Sequence, residues 1–259
     1  MMDLQNAYRL ARRNVMVNTD PGTLVFLLLM PTIYLVFMGY MYGSLIGNLS
    51  VGGHSVHYIS FLSPGIIAFQ TLTAGAVAGS MLWSDRRYGM FEQILSAPYT
   101  RAEYLLGIIF TTMALSIFGA LVMILISLAI GAIVSITFPG IVVITLSLIL
   151  GSLFWGSFML ALAAKSKSNQ MYNSIQVIIL FLAGFASTVF YPISAGTPAL
   201  LRDIMILNPL TYITDTIRAG YVSSFGVAFI GDELILAAET TFIFILAVLL
   251  YRKVRIGVK

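Results

Sequence analysis

Six stretches of this chain are too long and too apolar to lie folded in water. A helix that crosses about 30 Å of hydrocarbon at 1.5 Å per residue needs about 20 apolar residues. Stretches at 24–46, 61–82, 104–136, 138–164, 172–191 and 234–251 approach or meet that length. The third has residues to spare, for tilt or for extension past the bilayer. Of the 259 residues, 59% are hydrophobic and only 9% charged, with a mean hydropathy of +0.96. An average soluble domain is about a quarter charged. So little charge cannot cover a globule of this size, which argues against a cytosolic enzyme or a secreted domain. The expected fold is all-α, a single transmembrane domain over residues 1–259. Arg9, Arg12 and Arg13 precede the first run as in a secretory signal, but the run is longer than a signal core and no small-x-small site follows. It reads as a retained span.

The basic residues set the orientation. With both termini in the cytoplasm, Arg9, Arg12, Arg13, Arg86, Arg87, Arg101, Lys165, Lys167, Arg252, Lys253, Arg255 and Lys259 lie inside, and only Arg202 and Arg218 outside. That follows the positive-inside rule, and the inverse orientation violates it. The net charge of +4 therefore points to topology and anionic membrane lipid, not to nucleic acid.

Four pieces lie outside the spans. Residues 1–20 place Leu4, Tyr8, Ala11 and Val15 opposite Gln5, Arg9, Arg12 and Arg13, the pattern of an amphipathic helix on the inner leaflet. Residues 83–103 form the largest cytoplasmic loop. Within it Phe91, Ile94 and Leu95 oppose Asp85, Arg86, Arg87, Glu92 and Gln93, and the helix should end before Pro98. Residues 165–171 are a short inner loop. Residues 192–233 are broken by Pro192, Gly196, Pro198, Pro209, Gly220 and Gly226. Leu200, Ile204 and Leu207 share one helical face there, and Ile213, Ile217 and Tyr221 another; both runs are too short to cross, so two short re-entrant helices are expected on the outer side.

Little catalytic chemistry is present. No glycine precedes any lysine, so no phosphate-cradling P-loop exists, and no H-E-x-x-H or G-x-S-x-G occurs. Cysteine is absent, and His54 and His57 sit together in a short polar loop that reads as solvated. The one ionisable residue well inside a span is Glu239, beside Thr240 and Thr241. It reads as a carboxylate near the outer interface bonded to a threonine or water, with an ion path as the functional alternative. Gln70, Asn173 and Gln176 read as inter-helix hydrogen bonders. Tyr40, Tyr42, Tyr58 and Phe61 fall near the outer interface and Trp83, Tyr88, Tyr104 and Tyr172 near the inner one, as belt residues do. Tyr34, Phe37, Phe69, Phe181 and Phe185 lie deeper, where they pack the core or line an apolar substrate path.

The 83–107 stretch resembles the loop between spans two and three of ABC-2 type permeases, the membrane subunits of one branch of ATP-binding-cassette exporters. Gly89, Glu92, Leu95, Ser96, Pro98, Arg101, Leu105, Leu106 and Gly107 stand at the family's positions. Met90 and Phe91 replace its usual Thr and Leu, Ala97 is inserted into its Ser-Pro turn, and Tyr88 stands where an acidic residue is common. Phe61-Leu62-Ser63-Pro64-Gly65 is similar to the start of its second span. Tyr191-Pro192, Asn208-Pro209 and Asp215-x-x-Arg218 are similar to its outer segment, and Asp20-Pro21 to its drug and nodulation-factor exporter branch. The resemblance implies a plasma-membrane half-transporter: two permease chains, with two separate ATPase subunits that bind ATP and Mg. It implies no cofactor, metal or catalytic residue in this chain, and a coupling helix at 84–98. A secondary transporter or channel independent of ATP is the competing reading.

Overall fold

A computed structural model describes residues 4–51, 54–133, 135–194, 196–223 and 225–252. Lys253, Arg255 and Lys259 of the charge count lie outside the described residues. Helix α1 (Leu4–Asn18) is followed by α2 (Pro21–Ile33), a π-helical turn at Tyr34–Met38 and α3 (Gly39–Ile46), which together make one continuous helix. Asp20 caps it: its carboxylate accepts from the Thr23 amide at 3.1 Å and hydroxyl at 2.6 Å, and Pro21 fills the first helical position, where a missing N–H costs nothing. The histidine loop is an antiparallel hairpin, β1 (Asn48–Val51) paired with β2 (His54–His57), a detail that an all-α reading omits.

The bundle is built around α4 (Tyr58–Arg87), whose most apolar stretch is 94% buried. A helix apolar on every side belongs at the centre. Its small residues admit neighbours: a Cβ on Gly75 would meet the Trp155 backbone, and one on Gly79 the Tyr172 ring. Then come α5 (Met90–Ser96), α6 (Arg101–Ala129), α7 (Phe138–Lys165) and α8 (Asn169–Phe185). The chain closes through α9 (Ala199–Ile206), α10 (Pro209–Tyr221) and α11 (Val227–Arg252). α4, α7 and α11 run one way and α2, α6 and α8 the other, so one end of the bundle gathers the basic residues.

Several expectations change here. Among the described residues, five helices are long and apolar enough to cross a membrane. α8 is not one of them: its 17 residues rise about 25 Å, and the stretch expected to reach 191 unwinds after Phe185. The third span stops at Ala129, not 136, at a left-handed Gly131. α1 does not simply rest on a leaflet. Ala7, Leu10, Ala11 and Asn14 are buried against α6, where Gly107 makes room for Leu10, while Leu4 and Tyr8 on the adjacent strip face outward. Four expected belt residues, Tyr58, Phe61, Tyr104 and Tyr172, are core residues instead. The three tyrosine hydroxyls donate to Phe190 O, Asp85 and Ala76 O.

Candidate functional site: an aromatic cavity between two polar ends

α10 dictates the end of the site away from the basic residues. Where α8 unwinds at 186–191, its backbone carbonyls lose their helical partners, and side chains replace them. Asn208 Nδ2 donates to Ala183 O (2.8 Å) and Ala186 O (2.7 Å), while its Oδ1 accepts from Leu210 N as the cap of α10. Arg218 Nη2 donates to Thr188 O at 2.9 Å, and Tyr191 donates to Phe185 O. Asp215 holds Arg218 at 2.6 Å and accepts from Thr188 Oγ1 at 2.9 Å; the guanidinium lies 4.1 Å from the Phe61 ring centre. Irregular backbone inside an apolar bundle needs such partners. Asn208, Asp215, Arg218 and Tyr191, with Pro192 and Pro209 setting the breaks, thus form one knot. Arg202 and Asp203 on α9 approach to 3.9 Å on the surface. α9 turns Leu200, Ile204 and Leu207 outward and buries Met205 instead.

Below that knot lies a cavity of about 160 Å³, walled by aromatic and aliphatic residues of α2, α4 and α8. Four of the five deep aromatics predicted for a substrate path line it: Tyr34, Phe69, Phe181 and Phe185. Phe37 does not. The π-helical turn inserts an extra residue into the register, and Phe37 faces outward at 63% exposure. Phe190, from the unwound stretch, completes the wall, with Tyr34 and Phe185 rings 5.4 and 4.9 Å from its own. Sequence reading missed Phe190 because a single helix to 191 points it elsewhere.

At the basic end the expected coupling element is two pieces. α4 runs on through Arg87, Gly89 takes a left-handed φ of 70°, and α5 starts at Met90. Phe91 is 1% and Ile94 7% exposed. Phe91 packs edge-on against Tyr104 and Tyr251, so these two anchors face the chain's own core and are not available to a partner. Leu95 and Glu92 are half-buried; Arg87, Tyr88, Gln93 and Pro98 are exposed. Arg86 lies 5.5 Å from the Trp83 ring. Pro98 follows the end of α5, and Thr100 and Glu103 then form a capping box for α6. Asp85, read as part of a polar face, instead bonds Arg13 of α1 at 3.0 Å and Tyr104 at 2.8 Å.

Glu239 is not held by its threonines: Thr240 donates to Leu150 O and Thr241 to Ala237 O, and Glu239 Oε2 is buried without a partner. Nor is it the only acidic residue in its span. α11 starts early enough to include Asp232 and Glu233, and Glu233 accepts from Ser147 at 3.0 Å. Gln70 is buried and bonds within its own helix, to Thr73; Gln176 does reach across, accepting from Ser80 at 3.5 Å, while Asn173 is exposed.

Residues 8–222 match the family model of the ABC-2 type transporter. Among curated proteins the chain is similar to the putative transport permease ycf38 of Cyanophora paradoxa, 26% identical over 85% of this chain and 76% of that one. It is also similar to the inner membrane transport permease YadH of Escherichia coli K12, 24% identical over 77% and 75%. A third relative is the daunorubicin resistance ABC transporter permease protein DrrB1 of Streptomyces coeruleorubidus, 22% identical over 76% and 68%.

Proposed function

We propose a function from one premise: the chain belongs to the ABC-2 type transporter family. It is accordingly a membrane subunit of an ABC transporter and a multi-pass membrane protein. Beyond that, our reading is an exporter. Two copies of this chain pair, and two ATPase subunits dock on the basic end. Hydrolysis of ATP with Mg on those subunits moves an amphipathic substrate out of the cytoplasm or inner leaflet. α8 serves as a short sixth span, with α9 and α10 as re-entrant helices on the outer side and both termini in the cytoplasm.

The observation that carries this reading is the aromatic cavity on α4. That helix is one buried rod, and Arg87 stands 18 residues from Phe69, about 27 Å along the axis. An ATPase pressing on Arg87, Tyr88 and α5 would move the cavity wall without touching it. A rigid helix shared by both ends would carry closure at one end to opening at the other. The name of the Streptomyces relative makes daunorubicin a reasonable first probe. The test is to purify the full chain from its own membranes, identify a co-purifying ATPase, and reconstitute both. Export that requires ATP, and ATP consumption that rises with substrate, supports the reading. Export driven by an ion gradient without ATP replaces it with a secondary transporter or channel, for which the unpartnered Glu239 Oε2 is the favouring observation.

A further inference from the structure

Two of the helices that wall the aromatic cavity, α4 and α8, also wall a second hollow of about 660 Å³ at the basic end, lined by charged and polar residues. Its lining includes Trp83, Arg86 and Arg87 from α4, and Asn169, Asn173 and Ser174 from α8. Arginine and the tryptophan indole can only donate hydrogen bonds. No carboxylate lines the hollow among the described residues, and neither arginine is in an ion pair there. Trp83 Nε1 is buried with no partner. Positive charge and an unpartnered donor, with only neutral Asn, Gln and Ser oxygens beside them and no carboxylate, favour an anion, and guanidinium groups suit a phosphate.

The two hollows flank the place where α4 and α8 touch, at Ala76 with Tyr172 and at Ser80 with Gln176. On α8 the polar lining ends at Ser174 and the apolar lining begins at Val177, less than a turn later. On α4, Trp83 and Thr73 lie 10 residues apart, about 15 Å. That is about half the 30 Å hydrocarbon core, the depth of one leaflet. A ligand matching both hollows has a charged head and a tail one leaflet long. We propose that the two hollows along the α4/α8 seam together bind an anionic amphiphile, its phosphate held by Trp83, Arg86 and Arg87 and its tail lying toward Thr73 and Phe181. This rests on the substrate path proposed above, and names the chemical class that the path accepts.

The chain has two tryptophans, so Trp155→Phe leaves Trp83 as the sole emitter at the proposed head site. The full chain in phosphatidylcholine nanodiscs is titrated, without ATP or partner, with phosphatidic acid brominated on its acyl chain near the headgroup. Saturable quenching of Trp83 is expected. Arg86→Gln with Arg87→Gln should weaken it about tenfold or more, the loss of charge-assisted hydrogen bonds. The matching Lys pair should retain most of the binding, and brominated phosphatidylcholine should show no difference between variants. Phe181→Ala, at a half-exposed wall position, should weaken the lipid but not glycerol 3-phosphate. Equal quenching in the Gln and parent proteins overturns the proposal. So does glycerol 3-phosphate competing as well as the lipid, which would make this a soluble-phosphate site. A Gln pair that keeps lipid binding but loses a co-purifying ATPase reassigns the arginines to protein docking. Because binding is read without ATP, failure here leaves ATP-driven export standing, and failure of export leaves the binding result standing.

Discussion

Arg218 shows how one side chain can hold an irregular backbone in place. It pairs with Asp215, donates to Thr188 O and lies against Phe61. Removing one partner of this partly buried ion pair strands the other, at about 1–3 kcal/mol. Arg218→Ala and Asp215→Ala should therefore each lower the melting temperature of the detergent-solubilised chain, since the first also orphans Thr188 O and the second takes the 2.9 Å acceptor from the Thr188 hydroxyl. The double variant should cost less than the two singles added. If the two singles add without coupling, the pair is not what fixes this turn. Asn208→Ala strips two carbonyls and a helix cap at once, and should cost about 2 kcal/mol or more by the same melting measurement. At Glu239, Gln should preserve transport better than Leu if the carboxylate only hydrogen-bonds. A transport-dead, normally assembled Glu239→Gln would restore the ion-path reading. Asp20 gives a pH handle at the chain's first cap. The Thr23 hydroxyl and amide hold its carboxyl below the usual carboxylate range. Its capping stability is thus complete above the unfolded value near 3.8 and is lost as pH falls through the lower folded value. Asp20→Asn, which caps without charge, should flatten the acid limb of the melting profile; an unchanged limb rejects the assignment.

At the scale of elements, the turn from α4 into α5 depends on Gly89. A side chain there must adopt a left-handed backbone, which costs about 1–2 kcal/mol, so Gly89→Ala should destabilise the turn by that amount although a Cβ would meet only Glu92 Oε2, at an unstrained 3.8 Å. The neighbouring Phe91 changes its meaning once its packing is known. An amphipathic pattern tells which residues share a face but not whether that face meets a partner or the chain's own core, and Phe91 meets Tyr104 and Tyr251. Phe91→Ala should cost about 3–5 kcal/mol of the permease's own stability, and so cannot isolate coupling. Glu92→Arg can, because Glu92 is only half-buried. It should leave insertion and melting unchanged while releasing the ATPase or uncoupling its hydrolysis from transport. Full transport and normal ATPase retention in Glu92→Arg would mean that α5 is a structural brace. The same limit explains what was legible elsewhere. Five of the six spans, the breaks of the outer segment and the Asp215–Arg218 spacing follow from apolar length, proline and glycine, all local properties. The burial of Tyr104 and Tyr172, the docking of α1 on α6 and the outward turn of Phe37 depend on which helices are neighbours, and on one inserted π-helical residue. A single sequence carries no local signal for these.

For the whole molecule, topology comes down to α8. Its 17 helical residues fall about 5 Å short of a 30 Å core, and unwound backbone follows, tied to α10 by Asn208 and Arg218. If α8 crosses by local thinning of the bilayer around the knot, six spans result and the termini share a side. If instead α8 turned back inside the bundle, five spans with opposed termini would result, against the parallel run of α7 and α11 and the meeting of α1 and the end of α11 at the basic end through Arg13–Asp85 and Phe91–Tyr251. The twelve-to-two charge split favours the first, since a five-span chain strands basic residues on the outer side. The chain contains no cysteine, so single cysteines can report sides without background. Lys167, between α7 and α8, and Gly226, between α10 and α11, are both exposed loop positions. A membrane-impermeant maleimide applied to intact cells should label Gly226→Cys and not Lys167→Cys, and permeabilised cells should label both. Labelling of the two positions from the same side would make α8 a re-entrant helix. It would also contradict the contacts Arg13–Asp85 and Phe91–Tyr251, which bring α1 and the end of α11 together at the basic end.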